Sequence, residues 1–181
     1  MTNLNWLGHT NICIDGFSDI LKSVCENKMP AEHSKISTKG YKSQQFTLRY
    51  NFKDITEITS KVITELKKFD VLQNKKLTPL MAWTVYGEHG GYHKVHNHVG
   101  EEGKLNHITT ILYLNTPEKI GVEMKGEFYY FLLDKDKIKY HELQPEKGMM
   151  IVTPTSTFHG AYPQPRGLRH TLNFDFGVTD K

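Results

Sequence analysis

The hydrophobic pattern of the first part of the chain is helical. Apolar residues recur every three or four positions in residues 17–27 and in residues 55–69, and this spacing predicts two amphipathic helices. Residues 28–45 between them are rich in Lys, Ser and Gly, which predicts a loop. The alternation from Phe46 to Phe52 predicts a short strand before the second helix.

After residue 77 the pattern changes to short runs in which apolar and polar residues alternate, which is the period of a β-strand. Gly, Pro, Asn and Asp separate the runs. Strands that follow a helical first part predict a mainly β antiparallel barrel or sandwich with N-terminal helices packed on one sheet. The predicted strands are residues 78–87, 107–115, 126–133, 137–143, 149–153 and 168–176.

Composition narrows the class of protein. A chain of 181 residues can form one domain, residues 1–181, with its own hydrophobic core. The net charge is +3 and basic residues are scattered, so no nucleic-acid surface is evident. No apolar run approaches the ~20 residues of a membrane span, and no signal pattern is present. Cys13 and Cys25 fit a reduced compartment, so we expect a cytoplasmic protein. The oligomeric state is not indicated.

A group of histidines follows the first predicted strand after residue 77. Within the stretch from Gly90 to His98, His96 and His98 are two residues apart, so on an extended backbone they point to the same side. This spacing suits two imidazole ligands of one metal ion. His159 precedes the last predicted strand, and a barrel can bring it beside the first two, which makes it the candidate third ligand.

The last predicted strand has one polar face. Alternation places Arg169 and Thr171 on that face, together with Asn173 and Asp175, and places apolar side chains on the other. The planar guanidinium of arginine suits a carboxylate, because it can donate two parallel hydrogen bonds. Arg169 and Thr171 are therefore candidates for binding an acidic co-substrate, which the hydroxyl of Tyr113 could also reach.

Taken in order, these residues resemble the prolyl-hydroxylase-like branch of the 2-oxoglutarate and Fe(II)-dependent dioxygenases. The resemblance covers about residues 80–176, and its separate pieces are weaker than the ordered set. It rests on Tyr86, Gly90-Gly91, His96-Asn97-His98, Ile111-Leu112-Tyr113-Leu114-Asn115, Gly126-Glu127-Phe128, Pro145-Glu146-Lys147-Gly148, His159 and Gly167-Leu168-Arg169-His170-Thr171.

The resemblance implies a double-stranded β-helix, which is a jelly-roll or cupin-like barrel. Residues 78–177 would form its core, and residues 1–77 would supply helical support and N-terminal strands. Fe(II) and 2-oxoglutarate would be the cofactor and co-substrate. The implied activity is oxidative decarboxylation of 2-oxoglutarate coupled to hydroxylation of an unidentified substrate, either a protein side chain or a small molecule.

The resemblance also implies roles for particular residues. His96 and His159 would be iron ligands. Arg169 would bind the distal carboxylate of 2-oxoglutarate, assisted by Tyr113 and Thr171. Tyr86 falls where a tyrosine often lines the co-substrate pocket. No catalytic acid or base is expected beyond the metal centre.

One position departs from the family pattern. The family usually has His-x-Asp, part of a facial triad of two histidines and a carboxylate, and here the second position is His98. A neutral imidazole in place of a carboxylate leaves the metal centre one charge unit more positive. The third ligand is therefore either His98 or a nearby acid, Glu101 or Glu102, and the choice of metal is open.

Two other readings remain. A cupin-type metal enzyme that does not use 2-oxoglutarate is suggested by the spacing of Gly90, His96, His98 and Glu102, but it leaves Arg169 unexplained. A non-catalytic barrel that binds a metal or a ligand is suggested by the histidine at position 98. Binding of 2-oxoglutarate distinguishes both alternatives from the 2-oxoglutarate-dependent dioxygenase.

Overall fold

The structure is a computed structural model. It describes most of the chain that follows residue 54, and parts of the chain before it. The described residues are 6–21, 43–48, 55–99, 107–117 and 126–181. Among them, no helix is both long enough and apolar enough to cross a membrane.

Among the residues described before Lys75, three segments are helical: α1 (residues 17–21), α2 (Thr56–Leu66) and α3 (Asp70–Gln73). The predicted helices at 17–27 and 55–69 are confirmed where the structure describes them, and residues 22–27 lie outside the described residues. Helix α2 ends three residues earlier than predicted. Beyond Leu66 the chain turns and begins α3, whose Leu72 is also buried.

In the described parts of the chain, ten strands form two antiparallel sheets. The large sheet has the order β1-β8-β5-β10-β3-β2, and the small sheet has the order β4-β9-β6-β7. The strands are β1 (Gly8–Asn11), β2 (Ser43–Thr47), β3 (Lys75–Gly87), β4 (His93–His96), β5 (His107–Asn115), β6 (Phe128–Asp134), β7 (Lys137–Leu143), β8 (Met149–Pro154), β9 (His159–Ala161) and β10 (Arg169–Asp180).

The six predicted strands after residue 77 are all present, but β3 and β10 are longer than predicted. They pair with each other along their whole length, from Gly87 opposite Arg169 to Lys75 opposite Asp180. This pairing extends both strands into polar residues that show no clear alternation. Three strands were not predicted: β1, β4 and β9 have three or four residues each, and pairing with a longer or neighbouring strand defines them.

Strand β2 lies across the predicted boundary between the loop at residues 28–45 and the strand from Phe46 to Phe52. Its first three residues fall in the segment predicted as a loop, and its last two fall in the strand predicted from Phe46 to Phe52. It pairs with β3 at the edge of the large sheet, whereas β1 pairs with β8 at the opposite edge. The first part of the chain therefore supplies both edge strands of the large sheet, and residues 28–42 and 49–52 lie outside the described residues.

The main hydrophobic core lies between the helices and one face of the large sheet. Apolar residues of α2 pack in the same cluster as Ala82, Leu112 and Leu172 from three adjacent strands. A smaller cluster, which includes Tyr113 and Phe128, lies on the other side, between the two sheets. The large sheet therefore has one mainly apolar face packed on the helices and one face directed toward the small sheet.

Truncation of Leu112 tests this assignment of the core. Leu112 is fully buried in the centre of the large sheet, so we expect Leu112→Ala to lower the free energy of unfolding by about 2–5 kcal/mol. Ile138→Ala is the control, since Ile138 is 74% exposed on β7, and its effect should stay within about 0.5 kcal/mol. Urea denaturation followed by circular dichroism measures both. Equal stability of the two variants would contradict the assignment.

Candidate metal and co-substrate site

Alternation along β10 separates the core from a cavity. Leu172, Phe174 and Phe176 point into the main core, whereas the residues between them line a cavity of about 310 Å³. The predicted polar face of β10 therefore faces this cavity. Its four polar residues are Arg169, Thr171, Asn173 and Asp175.

The three predicted metal ligands meet at this cavity. His96 ends β4 and lies directly opposite His159, the first residue of β9, so antiparallel pairing brings the two rings together. His98 follows two residues later, and its backbone N–H donates to the carbonyl of Thr155 at 2.8 Å. One nitrogen from each ring lies within 4.8 Å of the other two. The structure thus brings together the last residue of β4, the first residue of β9 and a residue of the loop that follows β4.

Two of these rings, His96 and His159, each use their Nδ1 atom in a hydrogen bond to a backbone carbonyl. The Nδ1 of His96 lies 2.7 Å from the carbonyl oxygen of Lys94, and the Nδ1 of His159 lies 2.9 Å from that of Thr157. A carbonyl oxygen only accepts, so both Nδ1 atoms carry the proton and donate. The lone pairs on Nε2 are then available, which is the tautomer that a metal ligand requires.

Burial keeps two of the rings neutral. It lowers the pKa of His159 well below its usual range, and it also lowers the pKa of His96, in both cases with a smaller contribution from His98. Neutral imidazole is the form that binds metal ions. The low pKa values therefore favour metal binding at neutral pH.

Arg169 lies in the wall of the same cavity and is only 4% exposed. Its Nη1 and Nη2 atoms are buried and have no hydrogen-bond partner among the described residues. Burial lowers the pKa of Arg169, yet an arginine remains charged at neutral pH. The cavity therefore contains a desolvated cation that is not paired with any described side chain.

Two hydroxyl groups lie on the same wall as Arg169. Tyr113 is directly opposite Thr171 on the neighbouring strand β5, and burial raises the pKa of Tyr113 to about 12, so its hydroxyl keeps its proton. The Oγ1 of Thr171 accepts a hydrogen bond from the amide nitrogen of Asn173 at 3.3 Å, which leaves its own proton available to donate. Both hydroxyls can donate hydrogen bonds to a ligand held by Arg169.

The structure places Tyr86 away from this wall. Its neighbour Val85 lines the cavity, and alternation on β3 turns Tyr86 to the opposite face of the sheet. There its ring stacks on His170, with ring centroids 4.1 Å apart. Tyr86 is therefore not among the cavity-lining residues, contrary to the placement expected from the family pattern. Glu101 and Glu102, the alternative metal ligands, lie outside the described residues.

Two residues that the sequence reasoning did not assign also belong to the site. Asp175 approaches His98, with its Oδ1 atom 3.2 Å from the ring Nδ1. Trp83 packs against the same ring, with centroids 5.3 Å apart. Alternation already placed Asp175 on the polar face, but its contact with His98 depends on how distant strands align.

Gly160 determines how closely β9 approaches its neighbours. A side chain there would place its Cβ 2.3 Å from the hydroxyl of Tyr129 and 2.8 Å from the carbonyl oxygen of His93. Both distances are shorter than any van der Waals contact. The absence of a side chain at residue 160 therefore lets β9 hold His159 against His96.

No protein-family model matches the sequence, and no curated protein matches it at a significant level. Solved structures do match its fold. A 2OG-Fe(II) oxygenase family protein from Burkholderia pseudomallei has a TM-score of 0.69 and 7% identity, over 94% of this chain and 85% of that one.

Two further structures carry bound groups. The viral collagen prolyl hydroxylase of Paramecium bursaria Chlorella virus-1, in complex with 2OG, has a TM-score of 0.62 and 18% identity, over 96% and 97% of the two chains. HygX from Streptomyces hygroscopicus, with nickel, 2-oxoglutarate and hygromycin B bound, has a TM-score of 0.65 and 12% identity, over 97% and 84%.

The chain has the jelly-roll fold of the 2OG-Fe(II) oxygenases. The predicted double-stranded β-helix is thus confirmed, and so is the resemblance to this family at the level of the fold. The identities are low, so the oxygenase fold alone does not assign the substrate. The assignment of roles to residues rests on the site itself.

The oxygenase fold of this chain should lose stability in mild acid partly through His170. Burial lowers the pKa of His170 to about 4, whereas an unfolded histidine titrates near 6.5. Between these values the unfolded chain binds more protons, so the free energy of unfolding falls as the pH is lowered from 6.5 to 4. We expect His170→Phe, which keeps a ring against Tyr86, to reduce this slope by at most about 1.4 kcal/mol per pH unit.

Urea denaturation between pH 4 and 7.5 measures the slope. His9→Gln is the matched control, because His9 is exposed on β1 and should leave the slope unchanged. An unchanged slope in His170→Phe would show that His170 does not contribute to the acid sensitivity.

Proposed function

We propose that this protein is a non-haem iron dioxygenase that couples oxidative decarboxylation of 2-oxoglutarate to hydroxylation of a substrate. The single observation that carries the proposal is the buried guanidinium of Arg169, whose Nη1 and Nη2 atoms have no hydrogen-bond partner in the part of the chain that the structure describes, beside a group of three histidines. A buried charge without a partner costs several kcal/mol, so such a residue is best explained by an anionic ligand.

The wall around Arg169 fits 2-oxoglutarate. The guanidinium can donate two hydrogen bonds to the carboxylate that lies far from the metal, and the hydroxyls of Tyr113 and Thr171 can each donate another. All three side chains are at least 90% buried, so these hydrogen bonds would form away from water and would be strong. A dicarboxylate anchored at one end by Arg169 would direct its other end toward the histidines.

The histidine group fits Fe(II). His96, His98 and His159 would provide three imidazole nitrogens and leave the remaining positions to the co-substrate and to oxygen. When bound, Fe(II) with 2-oxoglutarate supplies the oxygen activation and the hydroxylation chemistry. The protein supplies fixed ligand orientation, because His96 and His159 each donate their other ring N–H to a backbone carbonyl.

The direction of the cavity indicates where the substrate would enter. Along β10 the cavity runs from Arg169, which is buried, to Asp175, which pairs with Met81. Met81 is 41% exposed and Trp83 only 9% exposed, so of these two described wall residues Met81 is the one nearer to solvent. The substrate would therefore approach past Met81 and Trp83, on the side away from Arg169.

The size of the cavity limits what can react. A volume of about 310 Å³ is at the lower end for ligand sites, and 2-oxoglutarate would fill part of it. The remaining space suits one protein side chain or a small molecule. Both a protein side chain and a small molecule are therefore candidate substrates.

A cupin-type metal enzyme that does not use 2-oxoglutarate is the second candidate function. It is supported by the three-histidine set, which lacks the carboxylate of the usual facial triad. It gives no role to Arg169, whose buried Nη1 and Nη2 atoms would then stay without a hydrogen-bond partner among the described residues. A non-catalytic metal-binding barrel has the same weakness.

Anaerobic binding separates these candidates. We expect Fe(II) and 2-oxoglutarate, added together without oxygen, to give a weak visible charge-transfer band from the chelate. Admission of oxygen should then produce succinate, and screening peptide and metabolite pools should identify the substrate that increases this turnover. A thermal shift with metal but none with 2-oxoglutarate would favour the cupin-type enzyme.

Substitution of Arg169 gives a sharper test. We expect Arg169→Met to weaken 2-oxoglutarate binding about 30-fold or more, because a buried charge partner of the carboxylate is lost. The same change removes an unpaired buried charge, so the ligand-free protein should become more stable by about 1–4 kcal/mol. Isothermal titration and urea denaturation measure the two effects.

Arg166→Met is the matched control for this experiment. Arg166 lies three residues earlier and is exposed, so neither affinity nor stability should change by more than a small amount. If Arg166→Met loses 2-oxoglutarate binding and Arg169→Met keeps it, then Arg166 rather than Arg169 binds the carboxylate. Equal affinity in all three proteins would contradict the proposed function.

A further inference from the structure

The histidine group has a carboxylate close behind one of its members. The Nδ1 atom of His98 lies 3.2 Å from Oδ1 of Asp175, and the Oγ1 atom of Thr109 lies 3.1 Å from the same Nδ1. The other two rings, His96 and His159, have backbone carbonyls in this position. Of the three rings, His98 is thus the one that contacts an acidic side chain.

The proton positions follow from the hydrogen bonds. The hydroxyl of Thr109 donates to Oδ1 of Asp175 at 2.7 Å, so its oxygen can only accept from His98. A carboxylate also accepts. Both neighbours of Nδ1 are therefore acceptors, and the ring donates its N–H to them. In the neutral ring, Nε2 of His98 then carries the lone pair that a metal ion would bind, and the ring is oriented by two contacts rather than one.

The strand pairing holds this arrangement in place. Thr109 and Asp175 lie directly opposite each other on β5 and β10, so their side chains share one face of the large sheet. The side chains of His98 and Asp175 are 11% and 18% exposed, which limits screening of the charge by water. The pair is therefore a fixed, mostly dry contact.

We propose that Asp175 is a positioning residue for the metal, and that it supplies through His98 the negative charge that a directly bound carboxylate would otherwise supply. This inference rests on the proposed function, since it requires a metal ion at the three histidines. A carboxylate that accepts the N–H of a ligand histidine makes that histidine a stronger ligand and fixes its orientation. Asp175, one residue further from the metal, would then compensate for the histidine that stands at position 98 in place of the usual carboxylate.

Metal affinity tests the inference, with Co(II) as the probe for the Fe(II) site. We expect Asp175→Asn, which keeps the shape and an acceptor for Thr109, to raise the Kd for Co(II) about 10- to 100-fold. The apparent melting temperature of the metal-free protein should change little. Competition with a chromophoric chelator measures the Kd, and a Kd within twofold of the original protein would overturn the inference.

Asp134→Asn is the control for the loss of one negative charge. Asp134 is half exposed and pairs with Lys139 on the β6–β7 hairpin. Its substitution should leave the Kd for Co(II) within twofold. If both substitutions weaken binding equally, Asp175 acts only through the overall charge and the inference is wrong.

Proton resonances of the Co(II) protein test the contact directly. Each ligand histidine carries an N–H proton that a nearby Co(II) shifts far outside the normal range, so three exchangeable resonances are expected from His96, His98 and His159. Asp175→Asn should move one of them or speed its exchange with water, and it should leave the other two in place. Three unmoved resonances, or three that move together, would overturn the assignment to His98.

The outcomes separate this inference from the proposed function. If the original protein fails to bind Co(II), the metal centre itself is wrong and the role of Asp175 is wrong with it. If the original protein binds Co(II) and then 2-oxoglutarate, but Asp175→Asn behaves identically, the proposed function stands and only the role of Asp175 is lost.

Discussion

Strand β10 is hydrogen-bonded on both sides, to β3 and to β5, and this pairing fixes the direction of every side chain along it. A slip of one residue would turn Leu172 and Phe174 toward the cavity and Arg169 into the apolar core. The apolar face thus does more than stabilise the sheet. By keeping the register, it holds the guanidinium, the hydroxyl of Thr171 and the carboxylate of Asp175 in one row beside the histidines.

The sequence was sufficient to predict the elements whose pattern is strong. Helix α2 and the long strands β5 and β10 have a clear period, and His96, His98, Arg169 and Thr171 could be selected from spacing and side-chain chemistry. Strands β4 and β9 could not be predicted, because three or four residues are too few to show a period. Their positions depend on the pairing of His96 with His159, which lie 63 residues apart in the chain.

The register of strand pairing explains the remaining differences between the sequence-based predictions and the structure. The face on which Tyr86 lies depends on how β3 aligns with β10. Tyr86 lies opposite His170, and this pairing is set by the tertiary structure rather than by the local sequence. The contact between His98 and Asp175 likewise joins residues 77 positions apart. Residue types could be selected from the sequence, but the partners of each residue required the alignment of strands. For the same reason, the family pattern suggested the right fold but did not indicate that the ring of Tyr86 stacks on His170.

The close approach at Gly160 has a consequence for how this sequence can change over evolutionary time. The ring of Tyr129 occupies the space that any side chain at residue 160 would need. Residue 160 therefore cannot be enlarged by itself while Tyr129 keeps its ring in this place. A larger residue at 160 becomes acceptable only after the residue at 129 becomes smaller and β9 moves away from His93. Homologous sequences should show the two positions varying together, although they lie on different strands and only residue 160 is next to a proposed metal ligand.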